Sequence, residues 1–366
     1  MEKAKPIRME QVNRLMRKAI TDEVFPGGVL LVATADSIVF FEAYGYADIF
    51  SGRPMTKDTV FDLASLTKPL ATTLAVMRLV SQNKLGLDQQ IGSILPRFKT
   101  SDKARISIKH LLCHNSGLPD YHPYYKSLEK IQEDRRRESL RDLLVREPLI
   151  NPVGVKVLYS DLGFMILSWA IEQISGNRLD RLVSAEIYRP LGLENLFFVD
   201  LGSKPRQAKF AATECCPWRN ILLEGAVHDE NAYVVGGIEG HAGLFGTAED
   251  IHRLLAILLS EFYGRPDFFL NKELLQTFLK RQNNTGRALG FDLPSLTASN
   301  CGRYFSKDSV GHLGFTGTSF WMDLDRRVMV ILLTNRVHPT RENTKIKAFR
   351  PKLHDAVMKK LLKTKY

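Results

Sequence analysis

The 366-residue chain has only four cysteines, Cys113, Cys215, Cys216 and Cys301, and no two of them stand at a metal-ligand spacing. Neighbours such as Cys215 and Cys216 rarely bridge each other, because the bond geometry is strained. A disulfide scaffold is therefore excluded and reduced thiols are expected. Long apolar runs are also missing: the longest, near residues 29–35 and 163–171, are too short to span a bilayer. The opening residues have neither the apolar stretch nor the small-residue cleavage site of a signal peptide, so the expectation is a cytoplasmic protein with no transmembrane segment. With 16 prolines, 25 glycines and 44% hydrophobic residues the composition is that of a packed globular chain, not a disordered or collagen-like one. No phosphate-cradling glycine loop or dinucleotide fingerprint is present, so no cofactor is called for. His110-Leu-Leu-Cys-His114 has the histidine spacing of a zinc helix but lacks its glutamate, and no metal site is assigned.

Charge is the one unusual bulk property. The net charge is +11, yet residues 1–20 hold six basic and two acidic side chains and residues 341–366 hold nine and two. The body between them sums to zero. A nucleic-acid partner would have to bind the two basic ends, which lack interleaved aromatics and any recognition motif, so none is expected.

Apolar spacing predicts a helix over residues 8–21, ended by Pro26-Gly27-Gly28, and then strands over 29–34 and 38–44 joined by a turn at Ala35-Asp36-Ser37. A strongly apolar helix is expected from Leu66 to about Val80, and 81–190 reads as almost entirely helical. The charge run at 126–147 reads as a solvated helical face. Strands return at 317–324 and 328–335 around Asp325-Arg326-Arg327. The last 20 residues form a basic helix with Ile346, Phe349, Leu353, Val357 and Leu361 on one side. Strands at both ends with helices between predict a sheet built from the N- and C-terminal parts, with a helical domain inserted.

The candidate nucleophile is in Ser65-Leu-Thr-Lys68. At a helix start, Ser and Lys three residues apart project from one face. The helix N-terminus favours a developing alkoxide, and a desolvated lysine has a lowered pKa and accepts the serine proton. Two further copies of the spacing, Ser81-Gln-Asn-Lys84 and Ser127-Leu-Glu-Lys130, stand in polar surroundings. Ser319, in Gly317-Thr-Ser-Phe-Trp321, departs from a nucleophile elbow and reads as an ordinary strand residue. Two more segments bear on Ser65: Tyr159-Ser-Asp161 ahead of an apolar helix, and His312-Leu-Gly314-Phe-Thr-Gly317 ahead of the last hairpin.

In this order and spacing the three segments resemble the Ser-x-x-Lys, Tyr-x-Asn and Lys/His-x-Gly elements of the serine penicillin-recognising enzymes. The branch is that of the class C β-lactamases, with family VIII esterases and DD-peptidases. Residues 108–119, His228-Asp-Glu-Asn231 and Gly240-His-Ala-Gly-Leu-Phe245 are similar to the same group. The resemblance implies an α/β (α+β) fold of the β-lactamase/transpeptidase type, with an antiparallel sheet flanked by helices. Residues 1–62 and 285–366 would form the sheet domain and 63–284 the mainly helical one, with Ser65 at the junction. It implies acyl transfer through a serine ester: Ser65 attacks, Lys68 and Tyr159 share the base, and the N–H groups of Ser65 and Phe315 form the oxyanion hole. Asp161, His312, Gly314 and Phe315 would face the substrate, a small ester, amide or peptide.

Two departures bear on that substrate. His312 stands where β-lactamases usually carry lysine and supplies at most a fractional charge for a substrate carboxylate. Asp161 replaces asparagine and could simply cap the following helix. An esterase-like activity is therefore expected first, then a DD-carboxypeptidase, a D-amino-acid peptidase or weak β-lactam turnover. The contrasting reading is a penicillin-binding fold that binds without turnover. Oligomeric state is not legible.

Overall fold

The computed structural model describes residues 8–363 apart from 36, 266–269, 284 and 296–298. Asp36 of the expected turn, and the outermost residues of both basic ends, lie outside the described residues.

An amphipathic first helix, α1 (Glu10–Thr21), buries Val12, Met16 and Ala19. The chain then runs up β1 (Gly27–Thr34), back along β2 (Ser37–Asp48) and into the short β3 (Arg53–Pro54). The C-terminal part adds β4 (Val310–Leu313), β5 (Ser319–Asp323) and β6 (Val328–Thr334). The sheet order is β3-β2-β1-β6-β5-β4, antiparallel throughout, so the two ends of the chain meet where Leu31 pairs with Ile331. This is the antiparallel sheet built from both ends that the sequence pattern implies.

β1 and β6 are buried on both faces, which explains their near-continuous apolar sequence. Alternate residues serve different cores. Leu30, Val32, Val330 and Leu332 pack with α1 and the last helix, α5 (Ile346–Lys363). Val29, Leu31, Met329 and Ile331 pack into the larger core with the central helices. The five apolar residues expected on one side of α5 are all buried, so the first and last helices cover one face of the sheet together.

The expected helix from Leu66 is built of three different turns: a 3-10 turn at Ala64–Leu66, a wider π-type turn at Lys68–Thr73, and regular α2 (Leu74–Ser81). Residues 81–190 are less helical than their apolar pattern implies. Apart from α3 (Asp161–Ser175), its longer helices are few, and 113–124 and 147–160 are irregular. Pro119, Pro148 and Pro152 remove donors there, and Gly117 and Gly154 sit at φ +85° and +81°. A three-stranded sheet of Phe61–Asp62, Leu244–Gly246 and Leu196–Phe198 ties the start of the Ser65 turn to α4 (Ala248–Phe262). Among the described residues no helix is long and apolar enough to cross a membrane.

Candidate active site

Ser65 stands on the 3-10 turn that follows Phe61–Asp62. Its neighbour Ala64 has φ +47°, a left-handed conformation that costs energy for a residue with a Cβ. Asp62 holds that turn: one carboxylate oxygen accepts the Ala64 N–H at 2.8 Å and the other the His228 N–H at 2.6 Å. Thr67 closes it from the other side, donating to the Ala64 carbonyl at 2.6 Å and accepting the Leu244 N–H at 3.1 Å.

Lys68 projects from the next turn into complete burial. Its ammonium donates to Ser65 Oγ at 3.0 Å and to the His241 carbonyl at 3.1 Å and forms an ion pair with Asp161, Oδ1 lying 2.7 Å away. Burial works to lower the Lys68 pKa, but the adjacent Asp161 carboxylate, with Tyr159, outweighs it and the net direction is up. The lowered pKa expected of a desolvated lysine is thus reversed by Asp161. That residue is not the helix cap either: Ser160 caps α3, its hydroxyl accepting the Gly163 N–H at 3.3 Å and donating to the Pro119 carbonyl at 2.6 Å.

The Tyr159 hydroxyl stands beside Ser65 and Lys68, both of which favour its ionised form. Burial raises its phenol pKa while the Lys68 charge opposes the rise. The ring stacks on His114 at 4.6 Å, and Lys68 Nζ lies 4.8 Å from its centroid. His114 is buried just past the short helix Ile108–Leu112, at φ +57°. Burial, with Arg287 and Lys68 nearby, keeps it neutral, and its Nδ1 accepts the Ser160 N–H at 2.9 Å. His110 instead caps that helix, accepting the Ser107 N–H at Nδ1. The two histidines do not converge on a common point, and His114 holds the Tyr159 segment.

β4 brings the third segment to the opposite wall. His312 is buried, with Nδ1 2.9 Å from the Leu313 carbonyl oxygen, and burial pushes its pKa down to about 4. It therefore carries no charge near neutrality, less than the fraction expected. Gly314 has no room for a side chain: a Cβ would lie 2.0 Å from Thr318 Oγ1 and 2.6 Å from the Leu63 carbonyl oxygen. Thr316 and Thr318 donate to the Asp62 and Leu63 carbonyls at 2.7 and 3.1 Å, fixing the turn that bears Phe315 against the one that bears Ser65. Phe315 itself is half exposed at the mouth.

Ser65, Tyr159 and Phe315 line two adjoining cavities of about 430 and 410 Å³. Asp161 faces the first and His312 and Gly314 the second, so all the expected site residues converge except Lys68, which sits beneath them. Ser319 is a buried strand residue of β5, while Ser81 and Ser127 bond to carbonyls of their own helical turns.

The segment 228–231 forms the far wall, and none of its side chains was given a role from sequence. His228 pairs with Glu214 at 3.1 Å, and Glu214 with Arg341; these partners overcome burial and hold Glu214 at about 2. Asp229 pairs with the buried His241 at 2.9 Å, which raises the His241 pKa against burial. Glu230 shares the same Arg341 Nη2 with Glu214, at 2.6 Å. Asn231 bridges the Tyr125 N–H and the His122 carbonyl, each at 2.9 Å. The cavity thus sets paired charges, Asp229, Glu230 and Arg341 among them, beside the rings of Tyr121, Tyr159 and Phe315.

Comparison with known proteins gives one consistent result. The family model described as Beta-lactamase matches residues 12–352. The chain is 34% identical to an N-acetylmuramyl-L-alanine amidase of Bacillus subtilis (strain 168), covering 90% of this chain and 81% of that protein. It is 32% identical to the Escherichia coli (strain K12) protein named "Putative D-alanyl-D-alanine carboxypeptidase", covering 90% and 83%. Among solved structures it is similar in fold to EstCE1, a hydrolase with promiscuous acyltransferase activity, with a TM-score of 0.74 and 24% identity over 95% of this chain and 98% of that one.

Proposed function

The chain belongs to the Beta-lactamase family and is an enzyme of that family; from that premise we propose that it hydrolyses a small amide through an acyl-enzyme on Ser65. The observation that carries this reading is the contact of Ser65 Oγ with a fully buried lysine that the His241 carbonyl and Asp161 hold in place. The Tyr159–Lys68 pair, at rest an ammonium and a neutral phenol, first gives up one proton to solvent; the Ser65 Oγ–carbon bond then forms as the serine proton passes into it. The N–H groups of Ser65 and Phe315 receive the oxyanion. The carbon–nitrogen bond then breaks, with the proton returned through Tyr159 to the leaving amine. Water, deprotonated by the same pair, splits the ester and restores Ser65.

An amide of a cell-wall-derived peptide or muramyl compound is the first substrate class. Asp229, Glu230 and Arg341 on the far wall offer partners to the polar groups of such a substrate, and the rings of Tyr121, Tyr159 and Phe315 give it apolar contact. The two relatives are named for an N-acetylmuramyl-L-alanine amide and a D-alanyl-D-alanine bond. Esters of the same acyl group would turn over by the same chemistry, and a neutral His312 gives no charge for a β-lactam carboxylate.

One preparation should be labelled with a fluorophosphonate probe, located by peptide mass spectrometry, and assayed on N-acetylmuramyl-L-alanine, a D-Ala-D-Ala peptide, short p-nitrophenyl esters and nitrocefin. Labelling at Ser65 with amide turnover is expected. A stable adduct never released would favour binding without turnover, and ester-only turnover would remove the amide reading.

A further inference from the structure

Arg350 lies on α5 and is 6% exposed, a cation withdrawn from water. Among the described residues no carboxylate is paired with it. Its hydrogen bonds go to two carbonyl oxygens, Thr318 at 3.0 Å and Gly314 at 3.3 Å. Burying a guanidinium without a counter-ion costs stability, so its placement calls for a return in function.

The Gly314 carbonyl and the Phe315 N–H are two ends of one planar, conjugated peptide group. A cation on that oxygen draws electron density through the amide and makes the N–H a stronger donor. The same guanidinium reaches Thr318 O, which accepts the Gly314 N–H at 2.8 Å. Arg336 anchors the following peptide, its Nε 2.8 Å from the Phe315 carbonyl oxygen. On the other side the Thr316 and Thr318 hydroxyls join the turn to Asp62 and Leu63.

We infer that Arg350 is a positioning residue: from the wall of the second cavity it orients and polarises the peptide whose N–H, on Phe315, meets the developing oxyanion. This rests on the proposal that Phe315 N–H is an oxyanion donor. Both bonds leave the same nitrogen, Nη2, so the cation on the Gly314 oxygen, more than the planar shape of the fork, is what the substitutions test.

The test compares wild type with Arg350→Lys and Arg350→Gln, each normalised to active sites by phosphonate titration. Losing a whole oxyanion donor costs about 100- to 1,000-fold in kcat; weakening one should lower kcat about 10-fold with KM changed less than about twofold. Affinity for a boronic acid transition-state analogue should fall in step with kcat/KM, with Arg350→Lys between wild type and Arg350→Gln. A lowered Tm with unchanged kcat per titrated site in Arg350→Gln would overturn the inference and leave a structural arginine. Wild type that is not labelled at Ser65 would overturn the hydrolase reading itself, and this inference with it.

Discussion

Lys68 Nζ lies 2.7 Å from Asp161 Oδ1, inside the reach of its contact with Ser65. The pair fixes the resting charge state: an ammonium beside a carboxylate, with Tyr159 as a neutral phenol. Asparagine in the resembled pattern would leave that ammonium without an anion, and Asp161 therefore sets the basicity of the whole cluster.

Replacing Asp161 with asparagine tests this through pH. Asp161 raises the pKa of Lys68 and adds to the rise of Tyr159. Whichever group takes the first proton must be deprotonated to act, and both lose protons more readily without the carboxylate. The acid limb of kcat/KM in Asp161→Asn should therefore move to lower pH. An unmoved limb would show that neither group is the base titrating in that profile.

Gly314→Ala is expected to keep the fold and lose most activity. The new Cβ would meet the Leu63 carbonyl, which belongs to rigid backbone two residues before Ser65, so the turn carrying Phe315 has to shift. A displacement near 1 Å costs on the order of 100-fold in rate. Full-rate turnover by Gly314→Ala would remove the Phe315 N–H from the mechanism.

His114→Phe should keep the ring contact with Tyr159 and lose the bond to the Ser160 N–H. An unsatisfied buried donor costs about 1–3 kcal/mol, and the Tyr159 segment loosens with it. Lower Tm together with lower kcat is the expected result; a lower Tm alone would restrict His114 to stability.

These residues divide according to what a linear pattern expresses. The strands at both ends were legible because β1 and β6 are doubly buried and need continuous apolar runs. That Ser65, Lys68 and Tyr159 come together was legible because short motifs carry them. The Lys68 charge state was not, since its cause lies 93 positions away at Asp161. Arg350 and Arg336 act on backbone carbonyls, which every residue has, so no side-chain pairing could mark them. His114 was visible as half of a metal-like spacing, but the helix ends before it and turns it toward Tyr159 instead. The irregular stretches in 81–190 were hidden because apolar spacing does not show where prolines and left-handed glycines break the helices.

The buried histidines predict a loss of stability in acid. Burial holds His312 and His354 at about 4, below the ordinary 6.5. As pH falls below about 6.5 the unfolded chain takes up these protons, while the folded chain resists until about 4. The unfolded state thus binds more protons in that window, and stability drops as pH falls through it, with no contribution from these groups above it. Each group is worth at most about 3 kcal/mol at the acid end. His354 lies on α5, its ring 5.9 Å from Phe305 and its Nδ1 3.2 Å from the Asn300 carbonyl oxygen. His354→Gln can keep a donor to that carbonyl without titrating. Its Tm should fall less than that of wild type between pH 7 and pH 4.5, with activity at pH 7 retained; parallel Tm curves would locate the acid sensitivity elsewhere.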